Sequence, residues 1–155
     1  MVCLWLFFGF NLIAQESDID TLRFNATDTI YRTTETDTRP DVVGGMYNLS
    51  MFISKNIKLP DVHNRKITVF VGFVVEPDST LSDIRFIHLT SEKLYKKESD
   101  TISQDLDLAE EALYADLKQS AVDIVAAFDG KWIPATIQGR PVRCQYNYPI
   151  VINIE

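Results

Sequence analysis

The stretch KITVFVGFVVE, residues 66–76, is the most strand-like in the chain. Ile67, Val69, Val71, Phe73 and Val75 alternate onto one face, and Phe70 and Val74 make the other face apolar as well. A strand that is apolar on both sides belongs in the middle of a sheet. The next residues supply one neighbour. Pro77 in PDST fits the first corner of a type I turn, and LSDIRFIHL, residues 81–89, reads as the return strand of a hairpin.

A further strand signal lies in VRCQYNYPIVINIE, residues 142–155. Val142, Cys144, Tyr146, Tyr148, Ile150, Ile152 and Ile154 form one face of a half-buried strand. Arg143, Gln145, Asn147, Val151, Asn153 and Glu155 form the other. Pro149 sits inside this pattern without an N–H to give to a ladder. A proline is tolerated where the missing donor faces solvent, so the strand is expected at a sheet edge.

Two helical stripes complete the order. Met46, Leu49, Phe52, Ile53 and Ile57 predict a helix after the turn at Gly44 and Gly45. It should stop near Lys58, because Pro60 disfavours helical geometry at Leu59. Leu106, Ala109, Leu113, Leu117, Ala121, Ile124, Val125 and Phe128 predict a second helix over 107–128. Asp107 and Glu110 resemble an acidic capping box at its start, and Gly130 suits a left-handed cap at its end. IQGRP, residues 137–141, then turns into the last strand. The order helix, strand, strand, helix, strand predicts an α+β fold: a small antiparallel sheet of about three strands with two helices on one face.

The chain has 155 residues, which suits one domain with a real core. Its net charge of -7 argues against nucleic acid and anionic lipid as main partners. Residues 1–14 are apolar almost throughout but too short to cross a bilayer, and read as a secretory signal peptide with Ala14 near the cut. Residues 15–38 are rich in Thr and Asp and read as a flexible segment, with TIYRTTET at 29–36 a candidate short strand. The domain proper is expected over 39–155, with a polar insert near 91–110.

Motifs for chemistry are sparse. His63 and His88 have no second histidine or cysteine at ligand spacing, so no metal site is expected. Cys144 is left alone once the leader is cut, and on the apolar strand face it reads as a small core residue. DLDLAEE, residues 105–111, lacks the loop glycine of a calcium hand and reads as a solvated helix start. No serine elbow, dinucleotide fingerprint or phosphate loop is present. The sequence reads as non-catalytic, without a cofactor.

Several stretches together resemble the C-terminal domain of TonB-type energy transducers, in the form common in Bacteroidetes-like bacteria. They are RPDVVGG, ISKNIKLP, ITVFVGFVVEPDSTLSDIRF and AVDIVAAFDGKWIPATIQGRPVRCQYNYPIVINI. The most specific positions are Trp132, Pro134, Ala135, Gly139, Pro141, Val142, Tyr146, Pro149 and Ile150, supported by Gly44, Gly45 and Pro60. The resemblance implies a periplasmic protein-binding module that takes the N-terminal segment of an outer-membrane receptor as an added strand beside its C-terminal strand. It implies that Arg143, Gln145, Asn147, Val151 and Asn153 border the docking edge. The chain departs from the family in several ways. The N-terminal transmembrane helix and long Pro-rich spacer of the family's transducers are not seen in a sequence with only six prolines; Leu59-Pro60 stands where Tyr-Pro is usual after the first helix; Asp78-Ser79 stands where Asp-Gly is usual; and about twenty extra residues separate Leu89 from Trp132. A stand-alone binding domain is therefore expected, beside two alternatives: a transducer whose anchor lies upstream of a misassigned start, and a module that pairs edge to edge with itself.

Overall fold

The computed structural model describes residues 29–95 and 112–155. The leader at 1–14, the proposed cap at Asp107 and Glu110 and most of the insert near 91–110 lie outside the described residues. The described chain runs β1 (Tyr31–Arg32), β2 (Asp41–Val42), α1 (Met46–Asn56), β3 (Arg65–Val75) and β4 (Leu81–Lys93). It continues with α2 (Ala115–Ala127), β5 (Trp132–Ile133), β6 (Ala135–Ile137), β7 (Arg140–Val142) and β8 (Cys144–Ile154).

The doubly apolar strand β3 is central. It pairs antiparallel with β4 on one side and with β8 on the other, and the sheet order is β1-β8-β3-β4. The sheet therefore has four strands rather than about three. The additional strand is β1, which lies parallel to β8 with Tyr31 opposite Cys144 and Arg32 opposite Gln145. Residues 31–38, read from the sequence as part of a flexible segment, are thus tied to the domain: Thr38 also bridges to Thr136. Two short antiparallel pairs, β2 with β5 and β6 with β7, stand beside the main sheet.

Alternation decides the core. Ile67, Val69, Val71, Phe73 and Val75 of β3 are fully buried, and Ile150 and Ile152 of β8 join them. Leu49 and Ile53 of α1, with Leu117, Ala121, Ile124 and Val125 of α2, cover this face. Each fully buried Val, Leu, Ile or Phe side chain among them contributes about 1.5–3 kcal/mol on burial. Trp132 packs edge to face on Phe73 at 5.0 Å and on Phe128 at 6.3 Å. Its buried indole N–H has no hydrogen-bond partner among the described residues. On the opposite face β3 carries Gly72. A Cβ there would lie 2.7 Å from Ile87 Cδ1, so the glycine makes room for a side chain of β4.

The turns follow from residue chemistry. Gly44 and Gly45 have φ of 85° and 90°, conformations open to glycine, and α1 starts immediately after them. Gln138 and Gly139 have φ of 51° and 74°, the two positive values of a type I′ turn joining β6 to β7. Gly130 is not a left-handed cap: it is absent from the positive-φ glycines, and α2 ends at Phe128 in extended geometry. A Cβ at Gly130 would fall 2.1 Å from the Phe128 ring, so its function is to let that ring lie across the backbone. α2 is described from Ala115 to Ala127, and the predicted start at 107 lies outside the described residues.

At the β3–β4 hairpin, Ser79 donates its N–H to Glu76 O at 3.0 Å and takes φ of 73°. Asp78 accepts both the N–H and the hydroxyl of Thr80. Left-handed geometry costs a non-glycine residue about 1–2 kcal/mol, part of which glycine returns through its freedom when unfolded. Ser79→Gly is expected to stabilise the protein by about 0.5–1 kcal/mol, read as a raised Tm. An unchanged or lowered Tm would mean that the serine is not strained there.

Candidate partner-binding edge

The two edges of the main sheet differ. On β4 the register with β3 slips between Phe70 and Val71 and again between Gly72 and Val74. Such bulges twist an edge away from further pairing. On β8 the register with β3 is continuous from Val75↔Cys144 to Arg65↔Ile154. Its outer side is covered only at the start, by β1.

Backbone direction along β8 follows from one hydrogen bond. Tyr31 N donates to Arg143 O at 2.9 Å, so Arg143 presents its backbone groups outward. Successive residues of a strand alternate sides, and β8 has no bulge, so Gln145, Asn147, Pro149, Val151 and Asn153 do the same. Cys144, Tyr146, Tyr148, Ile150, Ile152 and Ile154 turn theirs to β3. Pro149 therefore stands at a position where no bond to β3 is lost. Among the described residues, the outward N–H and C=O groups from Asn147 to Asn153 pair with no strand.

The residues expected to border this edge divide into two groups. Asn147, Val151 and Asn153 are exposed beside its open part. Gln145 lies under β1, opposite Arg32. Arg143 is drawn elsewhere: its Nε reaches Glu76 Oε2 at 2.8 Å and its Nη2 reaches Glu76 Oε1 at 2.9 Å, in a largely buried bidentate pair. With its carbonyl on Tyr31 and its guanidinium on Glu76, Arg143 fastens the start of β8 to the β3–β4 hairpin.

Glu76 is held below the ordinary carboxylate value of 4.5, first by the hydrogen bond from Arg143, opposed by desolvation and helped by the Ser82 hydroxyl and the arginine charge. A lowered folded pKa means that this stabilisation is complete above the unfolded value and is lost as pH falls through the folded one. Glu76→Gln is expected to cost about 1–2 kcal/mol at pH 7. Urea unfolding at descending pH should bring the variant and the parent together below the carboxylate range. A constant gap at all pH values would show that charge is not the cause.

A groove of about 380 Å³ runs along the open part of the edge, between α1 and β8. Ser50, Ile53, Ser54 and Ile57 of α1 and its end form one wall with Leu59, and residues 148–152 form the other. Leu59 is 58% exposed at its rim. Tyr148 stands in this wall, its pKa raised by burial and moderated by the Ser50 hydroxyl. The sequence reading missed the groove. The apolar stripe of α1 continues through Ile57 to an exposed Leu59 beyond the helix end, which was the available signal. A second hollow, of about 550 Å³, lies at the β1 end of the same edge, lined by Arg32, Thr33, Thr34, Arg39, Gln145, Tyr146 and Asn147.

The positions of the remaining resemblance residues are structural. Trp132 is buried in β5; Pro134 links β5 to β6; Gly139 makes the turn; Pro141 lies in β7; and Gly44, Gly45 and Pro60 flank α1. Cys144 is buried, and burial pushes its thiol pKa up, which suits packing rather than nucleophilic chemistry. His88 is exposed and stacks on Phe70 at 6.3 Å. Among the described residues there is no cluster of three or more metal-ligating side chains and no helix long and apolar enough to cross a membrane. Comparisons of the chain with family models, curated proteins and solved structures find no match in any of the three.

Proposed function

We propose that the chain is a non-catalytic, exported protein-binding domain of the TonB C-terminal type. It takes an extended segment of a TonB-dependent outer-membrane receptor, or of another envelope protein, as an added strand on β8. The observation that carries this reading is the asymmetry of the sheet: β4 is interrupted twice, whereas β8 keeps a straight register and an open outer side beside an apolar groove. Main-chain hydrogen bonds supply the affinity of such a pairing, and a groove at alternate side chains supplies its selectivity. The family resemblance of residues 39–154 supplies the compartment and the class of partner.

Titration of the protein with peptides from receptor N-termini, followed by amide NMR shifts, tests the reading. Shifts are expected at residues 147–153 and along α1 facing the groove. Failure of every peptide to bind, together with a tight dimer in sedimentation, would overturn it in favour of self-pairing through the same edge.

A further inference from the structure

β1 closes the open edge at its start. Tyr31 takes the outward groups of β8 on both sides of Cys144. Its N–H donates to Arg143 O at 2.9 Å, and the parallel register sets its carbonyl beside the N–H of Gln145. Arg32, the next residue, turns its own backbone groups away from β8. Glu35 takes both of them: its N–H donates to Arg32 O at 2.9 Å, and its Oε2 accepts Arg32 N at 2.7 Å. An added strand can therefore neither continue beneath β1 nor step onto the outer side of β1.

β1 is also fastened at both ends. Tyr31 packs on the small buried cluster of Ala135, Val142 and Cys144. After the Glu35 turn, Asp37 N donates to Thr136 O at 2.8 Å, Thr38 Oγ1 accepts Thr136 N at 2.9 Å and the Asp37 carboxylate accepts Gln138 N at 2.6 Å. A partner that displaced β1 would strip Tyr31 from this cluster only to remake the same ladder bonds. We infer that β1 and the Glu35 turn are a register stop: they fix where on β8 an added strand ends. The bound segment then pairs from Asn147 onward, and its chain leaves the sheet through the hollow beside Thr34. This rests on the strand-addition reading above.

The test uses blocked peptides of alternating Val and Ser, of roughly seven and roughly eleven residues. At about 3.3 Å per residue the shorter matches 147–153 and the longer would also reach under β1. In the parent protein the longer peptide is expected to bind within about threefold of the shorter. In Tyr31→Pro, which lacks the N–H to Arg143, it is expected to bind about tenfold more tightly than the shorter, with amide shifts that now reach Gln145. Circular dichroism reports the fold of the variant. The same length dependence in both proteins would overturn the inference while strand addition stands. Hydrogen exchange in the parent decides the matter without the variant. The Tyr31 N–H is expected to stay protected when the longer peptide is bound, and loss of that protection would mean that β1 is displaced and is no stop. Binding that is insensitive to Val151→Pro, or no binding by any peptide, would overturn strand addition itself and the stop with it.

Discussion

Val151→Pro is expected to leave the protein folded and to weaken its binding of an extended segment by at least about tenfold. Ile150→Pro, one residue earlier, is expected to unfold it. The contrast rests on alternation. The Val151 N–H points outward and its side chain is 55% exposed, so proline there removes a donor to the partner and little from the domain. Ile150 lies opposite Val69 in the centre of the β3–β8 ladder and is 5% exposed. Proline at that position removes a buried ladder bond and a core side chain together, a loss of about 4 kcal/mol or more. Folding is read by urea unfolding and binding by peptide titration. Similar loss of stability in both variants would show that the outward assignment of Val151 is wrong.

Phe73→Ala should be the most damaging truncation in the sheet core, at about 3–5 kcal/mol. Phe73 is fully buried, and its ring meets Trp132 at 5.0 Å and Tyr146 at 5.8 Å. It thereby joins β3, β5 and β8 at one point. Its loss leaves a cavity that rigid strands on both sides cannot collapse into, and it frees the indole of Trp132. Urea unfolding with near-ultraviolet circular dichroism checks both effects. A cost below about 1.5 kcal/mol would mean that the neighbours close the space.

The parts of the fold readable in the sequence are those carried by long periodic runs or by turn residues with a steric reason. β3 alternates over enough residues for its central place to follow from two apolar faces. β8 shows its inner face through six alternating apolar positions, Cys144 to Ile154, and its edge position through Pro149. Gly44-Gly45 and Gln138-Gly139 adopt positive φ as their composition suggests. What was not readable depends on distant partners. β1, at Tyr31–Arg32, falls within the candidate strand at 29–36, but its partner could not be read from so short a run; its place is set by the carbonyl of Arg143. The bulges of β4 come from pairing with β3, and Gly130 is explained only by where the Phe128 ring lies. Arg143 alternated with the expected docking residues, yet Glu76 across the hairpin captured its side chain. Composition indicated the face on which Arg143 falls but not its ion partner. The groove, too, exists only once α1 is laid beside β8.

The long stretch of sequence between β3 and β8 has a consequence for biogenesis. β3 can find β4 as soon as the hairpin turn is made, but the partner for its other side is far away in sequence, and the pairing runs from Val75↔Cys144 to Arg65↔Ile154. Until those residues are available, a strand apolar on both faces has one unsatisfied side. Contacts so distant in sequence form slowly, and exposed strand edges invite aggregation in the interval. Truncating the chain before residue 144 would therefore yield an aggregating fragment rather than a smaller folded domain, and helpers that shield nascent strands would find their target in β3.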